Sequence, residues 1–404
     1  MPHERVWAEI DLDAITHNLS YIRSIVGQQR GLIAIVKANA YGHGAVPVAW
    51  HLASLGASML GVGDSQEAIE LRRAGISIPT LVLGAIVRGE LGDVVAHDIA
   101  VTVHSAERIR LLEREARRIG RQVSVHLKID TGMARLGCRP SRALDLARLI
   151  HEAGHLRLDG LCSHFSSVGP PDAGNDAFTQ QQVKLFDRVC GEIRDAGISL
   201  PRRHAAASSA ILGRIADHLD DVRPGLVLYG YAPGWEAEKD LRPALSLKTQ
   251  VIFLKDLPRG TPIGYGREHT TAKRTRIATL PVGYNDGYAF RLGGRADVLI
   301  RGHRAPVVGR VSMDYLTVDV GGIPGVSVGD EVVLIGRSGD EQVTAPDLAR
   351  RAETIVYEIL TRLGKRVQRI YRGGAGPSQH SDPQERGFGI LRRPDLEEIS
   401  RTTR

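Results

Sequence analysis

The chain holds 404 residues, 42% apolar and 25% charged, with a formal net charge of +7 and three cysteines. That length supports two domains around a sizeable core, and the composition belongs to an ordinary globular protein rather than a disordered, fibrous or disulfide-framed one. Basic residues are scattered without a nucleic-acid motif, the cysteines form no CxxC pair, and no apolar run approaches the roughly 18 residues of a membrane span, which argues against nucleic-acid binding, a zinc site and a membrane anchor. MPHERVWAEIDLDAI places charges where a signal peptide needs an apolar core, and few, widely spaced cysteines suit a reducing compartment, so a cytoplasmic location is expected.

Residues Trp7 to Leu12 alternate apolar and polar and predict a strand; Asp13 can cap a helix running to about Val26. Apolar runs then recur near 31–36, 57–62, 80–84, 99–103, 123–129, 157–163, 203–207 and 224–229. Helical segments lie between them, most plainly SQEAIELRRAG (65–75) and SAERIRLLEREARRIG (105–120). Eight strands alternating with helices predict a TIM-type (β/α)8 barrel over 1–242, with the first strand (about 6–12) assignable to either domain. After Pro243 strand-like runs follow one another with short Gly and Pro connectors, predicting a mostly antiparallel β domain over 243–371. One helix, 345–364, interrupts it and the strand 367–371 closes it. Residues 372–404 lose apolar periodicity and are expected to form a flexible tail, with 389–399 a candidate docking helix.

The first barrel run, LIAIV, ends at Lys37, followed by Asn39, Tyr41, Gly42, His43 and Gly44. A lysine at the C-terminal end of a buried barrel strand sits where this architecture places its chemistry. Burial lowers its pKa and makes the amine a nucleophile. A surface lysine snorkelling from a strand end fits the same residues equally well. Other polar residues expected at the same mouth are Lys128, Asp130 and Arg135 in HLKIDTGMARLG, His164, His204, Ser208 and Arg223. The β domain adds Tyr265, Tyr284, Met313, Asp314 and Tyr357. Small residues near Ser208 and Gly225 leave backbone N–H groups for an anion, and a lysine with a phosphate pocket suggests pyridoxal phosphate. Each residue also has a plainer reading: His164 and His204 as core histidines, Arg135 as a rim ion pair, Asp130 as a turn residue.

Taken together the motifs resemble one family. From Val6 to Tyr371 the chain resembles alanine racemase, a fold-type III pyridoxal-phosphate enzyme. The resemblance rests on AIVKANAYGHG, HLKIDTGMARLG, SHF, DVRPGLVLYG, SLKTQVI, GYG, IATLPVGYNDGY, GRVSMD and TIVYEI in that order. It implies that Lys37 carries the cofactor and works as a base on one face of the substrate, with Tyr265 of a partner subunit as the base on the other. It further implies a phosphate cradle of Tyr41, Ser208, Tyr357 and the amides of Gly225 and Leu226. Arg223 would meet the pyridine nitrogen, and His164 would hydrogen-bond Tyr265. Arg135 would contact the cofactor phenolate oxygen and the substrate carboxylate, and Met313 and Asp314 of the partner chain would also hold that carboxylate. Tyr284, again from the partner, would narrow the entrance, and Lys128 is a possible carbamylation site.

The implied unit is a cytoplasmic homodimer with shared sites, no metal, and an amino-acid substrate, making D-alanine for peptidoglycan. Against the family pattern, Ala207 stands where asparagine usually precedes the serine, SSVGPPD follows SHF, Tyr315 follows Met313-Asp314, and Glu268-His269 follow GYG. Alternatives are a broader amino-acid or serine racemase of this fold, a non-catalytic pyridoxal-phosphate-binding barrel, and a fold-type III decarboxylase. The appended β domain argues against the second, and the third needs another substrate-binding pattern.

Overall fold

A computed structural model describes residues 4–170, 176–215 and 219–374. The expected docking helix at 389–399, and all of the expected tail beyond Gly374, lie outside the described residues.

The chain starts on strand β1 (Val6–Asp11) and then enters a closed barrel of eight parallel strands. These are β2 (Gly31–Ile35), β3 (Met59–Val62), β4 (Thr80–Val82), β5 (Ala100–Val103), β6 (Val123–Lys128), β7 (Leu156–Cys162), β8 (Arg202–Ala207) and β9 (Asp221–Arg223). Each neighbour pair is parallel, and β9 closes on β2. Short runs such as LIAI and AVTV bury on both faces, as strands wrapped by helices must. The helix at Ala106–Ile119 shows the local logic. Ser105 caps its first turn, Gly120 ends it in the left-handed region, and Ile109, Leu112 and Ala116 face the core.

The second domain is a ten-stranded sheet. Its strands are β10 (Leu245–Gln250), β11 (Phe253–Leu257), β14 (Thr275–Leu280), β15 (Asp297–Ile300), β16 (His303–Val308), β17 (Leu316–Asp319), β18 (Glu331–Ser338), β19 (Glu341–Val343), β20 (Gln368–Arg372) and β1; β12 (Pro262–Ile263) and β13 (His269–Thr270) pair separately. The period-2 burial of LSLKTQ in β10 marks a sheet with one wet face. β1 lies between β10, antiparallel, and β20, parallel. The chain therefore leaves the β domain, makes the barrel, and returns. Asn18 locks the return. Fully buried, it donates to Leu228 O (3.0 Å) and Arg242 O (2.8 Å) and accepts from Arg242 N (2.8 Å). Asn18→Ala strands these groups, and chemical denaturation is expected to show a loss of about 2–4 kcal/mol.

The sequence reading needs correction in three places. The eighth barrel strand is Asp221–Arg223, not 224–229: Pro224 has no N–H to give to a ladder, and Leu226–Tyr229 coils into a buried 3-10 turn. The helix expected over 345–364 is two, Ala345–Arg351 and Val356–Thr361, parted where Glu353 takes φ +57°. The first helix is capped by Asp11, whose carboxylate accepts from Ala14 N at 3.0 Å, rather than by Asp13. All three cysteines are free and buried. No described helix is long and apolar enough to cross a membrane, and no cluster of potential metal ligands occurs among the described residues.

Candidate active site

Lys37 follows β2 at the C-terminal mouth of the barrel, and the backbone behind it is unusual. Ala38, Asn39, Ala40 and Tyr41 all have φ between +52° and +55°, four consecutive non-glycine residues in the left-handed region. Such a turn costs roughly 1–2 kcal/mol per residue, so the surroundings must impose it. They do so at both ends. Ala38 N donates to the Glu67 carboxylate at 2.6 Å, and Asn39 Oδ1 accepts from Ala45 N at 2.7 Å. Gly42 (φ +85°) sits so close to the helix Val356–Thr361 that a Cβ would lie 2.1 Å from Leu360 O, and its own carbonyl accepts from Arg369 Nε at 3.1 Å. The turn is thus pressed between barrel and β domain, and Tyr41 is held beneath Tyr357, with ring centroids 5.8 Å apart.

A cavity of about 680 Å³ opens at this junction. Lys37, Tyr41, Lys128, Arg135, His164, Ser208, Arg223, Gly225 and Tyr357 all line it, as does Ala207. Among the described residues its lining contains four cations and no aspartate or glutamate. Burial lowers the Lys37 pKa, and the nearby guanidiniums of Arg135 and Arg223 add to this while Glu67 opposes it. Lys128 is shifted down for the same leading reason, its Nζ donating to Leu83 O at 3.1 Å. Two buried cations, Lys128 and Arg223, and two exposed ones, Lys37 and Arg135, at one mouth without a carboxylate in its lining call for an anion.

Arg223 organises the floor. It is 6% exposed and donates to His204 Nδ1 (2.8 Å), Ser163 O (2.8 Å), Ala205 O (2.8 Å) and His164 Nδ1 (3.3 Å). Guanidinium only donates, so both histidines accept at Nδ1 and carry their proton at Nε2. His204 Nε2–H then donates to His126 Nδ1 at 2.7 Å. Burial, then the charge of Arg223, pushes the His164 pKa down to about 3, so the ring is neutral and its Nε2–H is a donor. His204 therefore has the buried, hydrogen-bonded role open to it from the start. Asp130 is a turn residue: its carboxylate accepts from Gly132 N (2.9 Å) and Ala134 N (3.1 Å).

The Gly225 amide is engaged by Ser208 Oγ at 3.0 Å, and Leu226 lines an adjoining cavity of about 370 Å³ rather than the main one. Tyr265, Tyr284, Met313 and Asp314 do not line the main cavity. Instead they gather on one face of the β domain around the 309–314 loop. A Cβ on Gly266 would lie 3.1 Å from Arg310, Tyr284 N donates to Ser312 O (3.0 Å), and Asn285 N donates to Met313 O (3.2 Å). Tyr265 is 73% exposed, and Tyr284, Phe290, Met313 and Tyr315 are exposed with it. The Asp314 carboxylate is paired with Arg366 at 2.7 Å. Glu67 went unread in the sequence. Its signal was a D-x-x-E cap pattern at Asp64–Glu67, which reads as an ordinary helix start.

A lysine at the mouth of a parallel barrel, beside an anion-attracting cavity and under an appended β domain, defines a barrel enzyme of the lysine-centred kind. The family description "Alanine racemase, N-terminal domain" matches residues 10–233, and "Alanine racemase, C-terminal domain" matches 244–371. The chain belongs to the alanine racemase family. It is 45% identical over 369 residues to an alanine racemase of Symbiobacterium thermophilum (91% of this chain, 97% of that one). It is 40% identical over 372 residues to one of Halothermothrix orenii (92% and 97%). Among solved structures, alanine racemase from Streptomyces lavendulae superposes with a TM-score of 0.87 at 36% identity, covering 93% of this chain and 99% of that one. The Bacillus anthracis enzyme with bound L-Ala-P gives 0.85 at 34%, covering 92% and 96%.

Proposed function

We propose that the chain is a cytoplasmic alanine racemase that interconverts L- and D-alanine with pyridoxal 5'-phosphate, supplying D-alanine for peptidoglycan at sites shared between two copies. The observation that carries the reading is the cavity itself, which gathers Lys37, Lys128, Arg135 and Arg223 with no acid in its lining among the described residues. Those cations suit a phosphate and a substrate carboxylate. The residues present fit the cofactor at a second point. A Cβ on Gly225 would lie 2.6 Å from the Tyr41 hydroxyl, so glycine alone keeps the space beside Ser208 open.

Lys37, uncharged more readily than an unperturbed lysine, would hold the cofactor aldehyde; Tyr41, Ser208 and Tyr357 would hold its phosphate. Bound there, the cofactor withdraws electrons from the substrate Cα and acidifies its hydrogen. Arg223 would meet the ring nitrogen as a donor that does not give up its proton, which favours prompt proton return over side reactions. Lys37 Nζ would take or return a proton at Cα on the D face. The Tyr265 hydroxyl of a second copy would do so on the L face, with the neutral His164 Nε2–H stabilising its oxygen when ionised. Arg135 and the second copy's Met313 amide would grip the carboxylate, and the second copy's Tyr284 would narrow the entrance. Carbamylation of Lys128 would turn a repelled cation into an anion facing Arg135.

The exposed face bearing Tyr265, Tyr284 and Met313 supports the homodimer, because a cluster of exposed aromatics marks an interface. A panel of L-amino acids assayed for D-product tests the substrate. Alanine is expected to turn over fastest; serine turnover above alanine would replace this reading with serine racemase. Gly225→Ala is expected to weaken pyridoxal-phosphate binding at least about tenfold, read by absorbance titration on protein shown to be folded by circular dichroism.

A further inference from the structure

We infer that Glu67 is a positioning residue for Lys37: it ties the backbone that carries Lys37 to the end of β3 and sets a carboxylate behind the amine. This deepens the racemase reading at one residue and rests on it for the role of Lys37.

Glu67 is the third residue of the helix Ser65–Arg73, and the capping Asp64 accepts from the Glu67 amide at 3.0 Å. A glutamate at that position ordinarily reaches back to the capping residue's own amide. Here Oε2 accepts from Gly63 N at 2.7 Å and Oε1 accepts from Ala38 N at 2.6 Å. The second bond leaves the helix altogether and crosses to the first residue of the left-handed turn. One carboxylate thus bridges the ends of two adjacent barrel strands, on either side of the residue whose amine points into the cavity. Packing there is close: a Cβ on Gly63 would stand 3.2 Å from Glu67 Oε2 and 3.7 Å from the Lys37 Cβ. Local helix capping accounts for the Gly63 bond alone.

Charge works the same way. On the cavity side Lys37 faces Arg135, Arg223, Lys128 and His164; behind it stands Glu67. Glu67 itself faces Asp64 from its own helix, Lys37 from the turn and the Tyr229 hydroxyl from the 226–229 turn. Burial raises the Glu67 pKa, while the two amide donors and Lys37 favour its anion. As an anion it favours the Lys37 ammonium against the cations in front, and so moderates how readily the amine loses its proton.

Two substitutions separate the bridge from the charge. Glu67→Gln keeps the size, removes the charge, and turns one backbone-facing oxygen into a donor that meets another donor. Glu67→Asp keeps the charge and is too short to span both amides. Full-length wild type and both variants, freed of cofactor with hydroxylamine, would be trace-labelled with acetic anhydride across pH. Lys37 labelling is then read by peptide mass spectrometry, and kcat/KM for alanine is measured against pH on the pyridoxal-phosphate-loaded proteins.

In Glu67→Gln the midpoint of Lys37 labelling is expected to fall by about one pH unit, with the acid limb of kcat/KM moving the same way. In Glu67→Asp the midpoint stays and kcat falls about tenfold with KM little changed. An unmoved midpoint in Glu67→Gln, or wild-type kcat in Glu67→Asp, overturns the inference. Should Glu67→Gln fail to fold, the kcat of Glu67→Asp decides alone. A wild-type chain that makes no D-alanine overturns the racemase reading instead, and the labelling midpoint still judges Glu67.

Discussion

Lys37→Ala is expected to lower alanine racemisation by about four orders of magnitude and to abolish the visible absorption of the loaded protein. Both effects come from one atom. Nζ enters the main cavity just beyond the end of β2, and burial with the nearby guanidiniums holds it toward the neutral form a nucleophile needs. Lys128 lines the same cavity but is spent on Leu83 O at 3.1 Å, so it is not positioned to substitute. The fold should survive, because the left-handed turn is held by Glu67, Asn39 and the Gly42 contact rather than by the lysine side chain. An absorption spectrum equal to that of the wild type would show that another residue holds the cofactor.

Tyr265→Phe is expected to cut racemisation by about two to four orders of magnitude while leaving cofactor absorption and melting temperature as they are. The side chain is 73% exposed in the single chain, so it contributes little to the core. Its loss should be one-sided. Lys37 still serves the D face, so D-alanine in D2O should continue to exchange its α-hydrogen, whereas L-alanine should not. Equal loss of exchange from both isomers would contradict the assignment of one base to each face.

Most of this architecture was legible because barrel strands and wet-faced sheets write different patterns. LIAI and AVTV are unbroken, and LSLKTQ alternates, so the change of pattern near Pro243 could be read directly. The misread elements are those where a neighbour overrules the pattern. LVLY in 226–229 looks like a strand until Pro224 removes a donor and the segment is buried as a turn. The helix at 345–364 keeps its apolar face across Glu353, and only the left-handed φ there reveals the break.

The residues that line the cavity were legible as a set, and the cavity's shape was not. Nothing in Ala-Asn-Ala-Tyr announces four left-handed residues, because the conformation is imposed by Glu67 on one side and by Leu360 and Arg369 on the other. Glu67 was invisible for the same reason: its partner Ala38 lies across a strand gap that no local pattern spans. The neutral state of His164 likewise depends on Arg223, and a sequence cannot show that the two meet.

The separation of Lys37 from Tyr265 is the strongest consequence of the geometry. One lines the main cavity, and the other stands on an exposed face of the β domain. If each working site takes Lys37 from one chain and Tyr265 from another, two inactive proteins should repair each other. Lys37→Ala and Tyr265→Phe chains, mixed in equal amounts and allowed to exchange subunits, should recover about a quarter of wild-type activity, since half the dimers would hold one intact site of two. Activity no greater than that of the separate variants, with subunit exchange confirmed by mass, would contradict a site built from two chains.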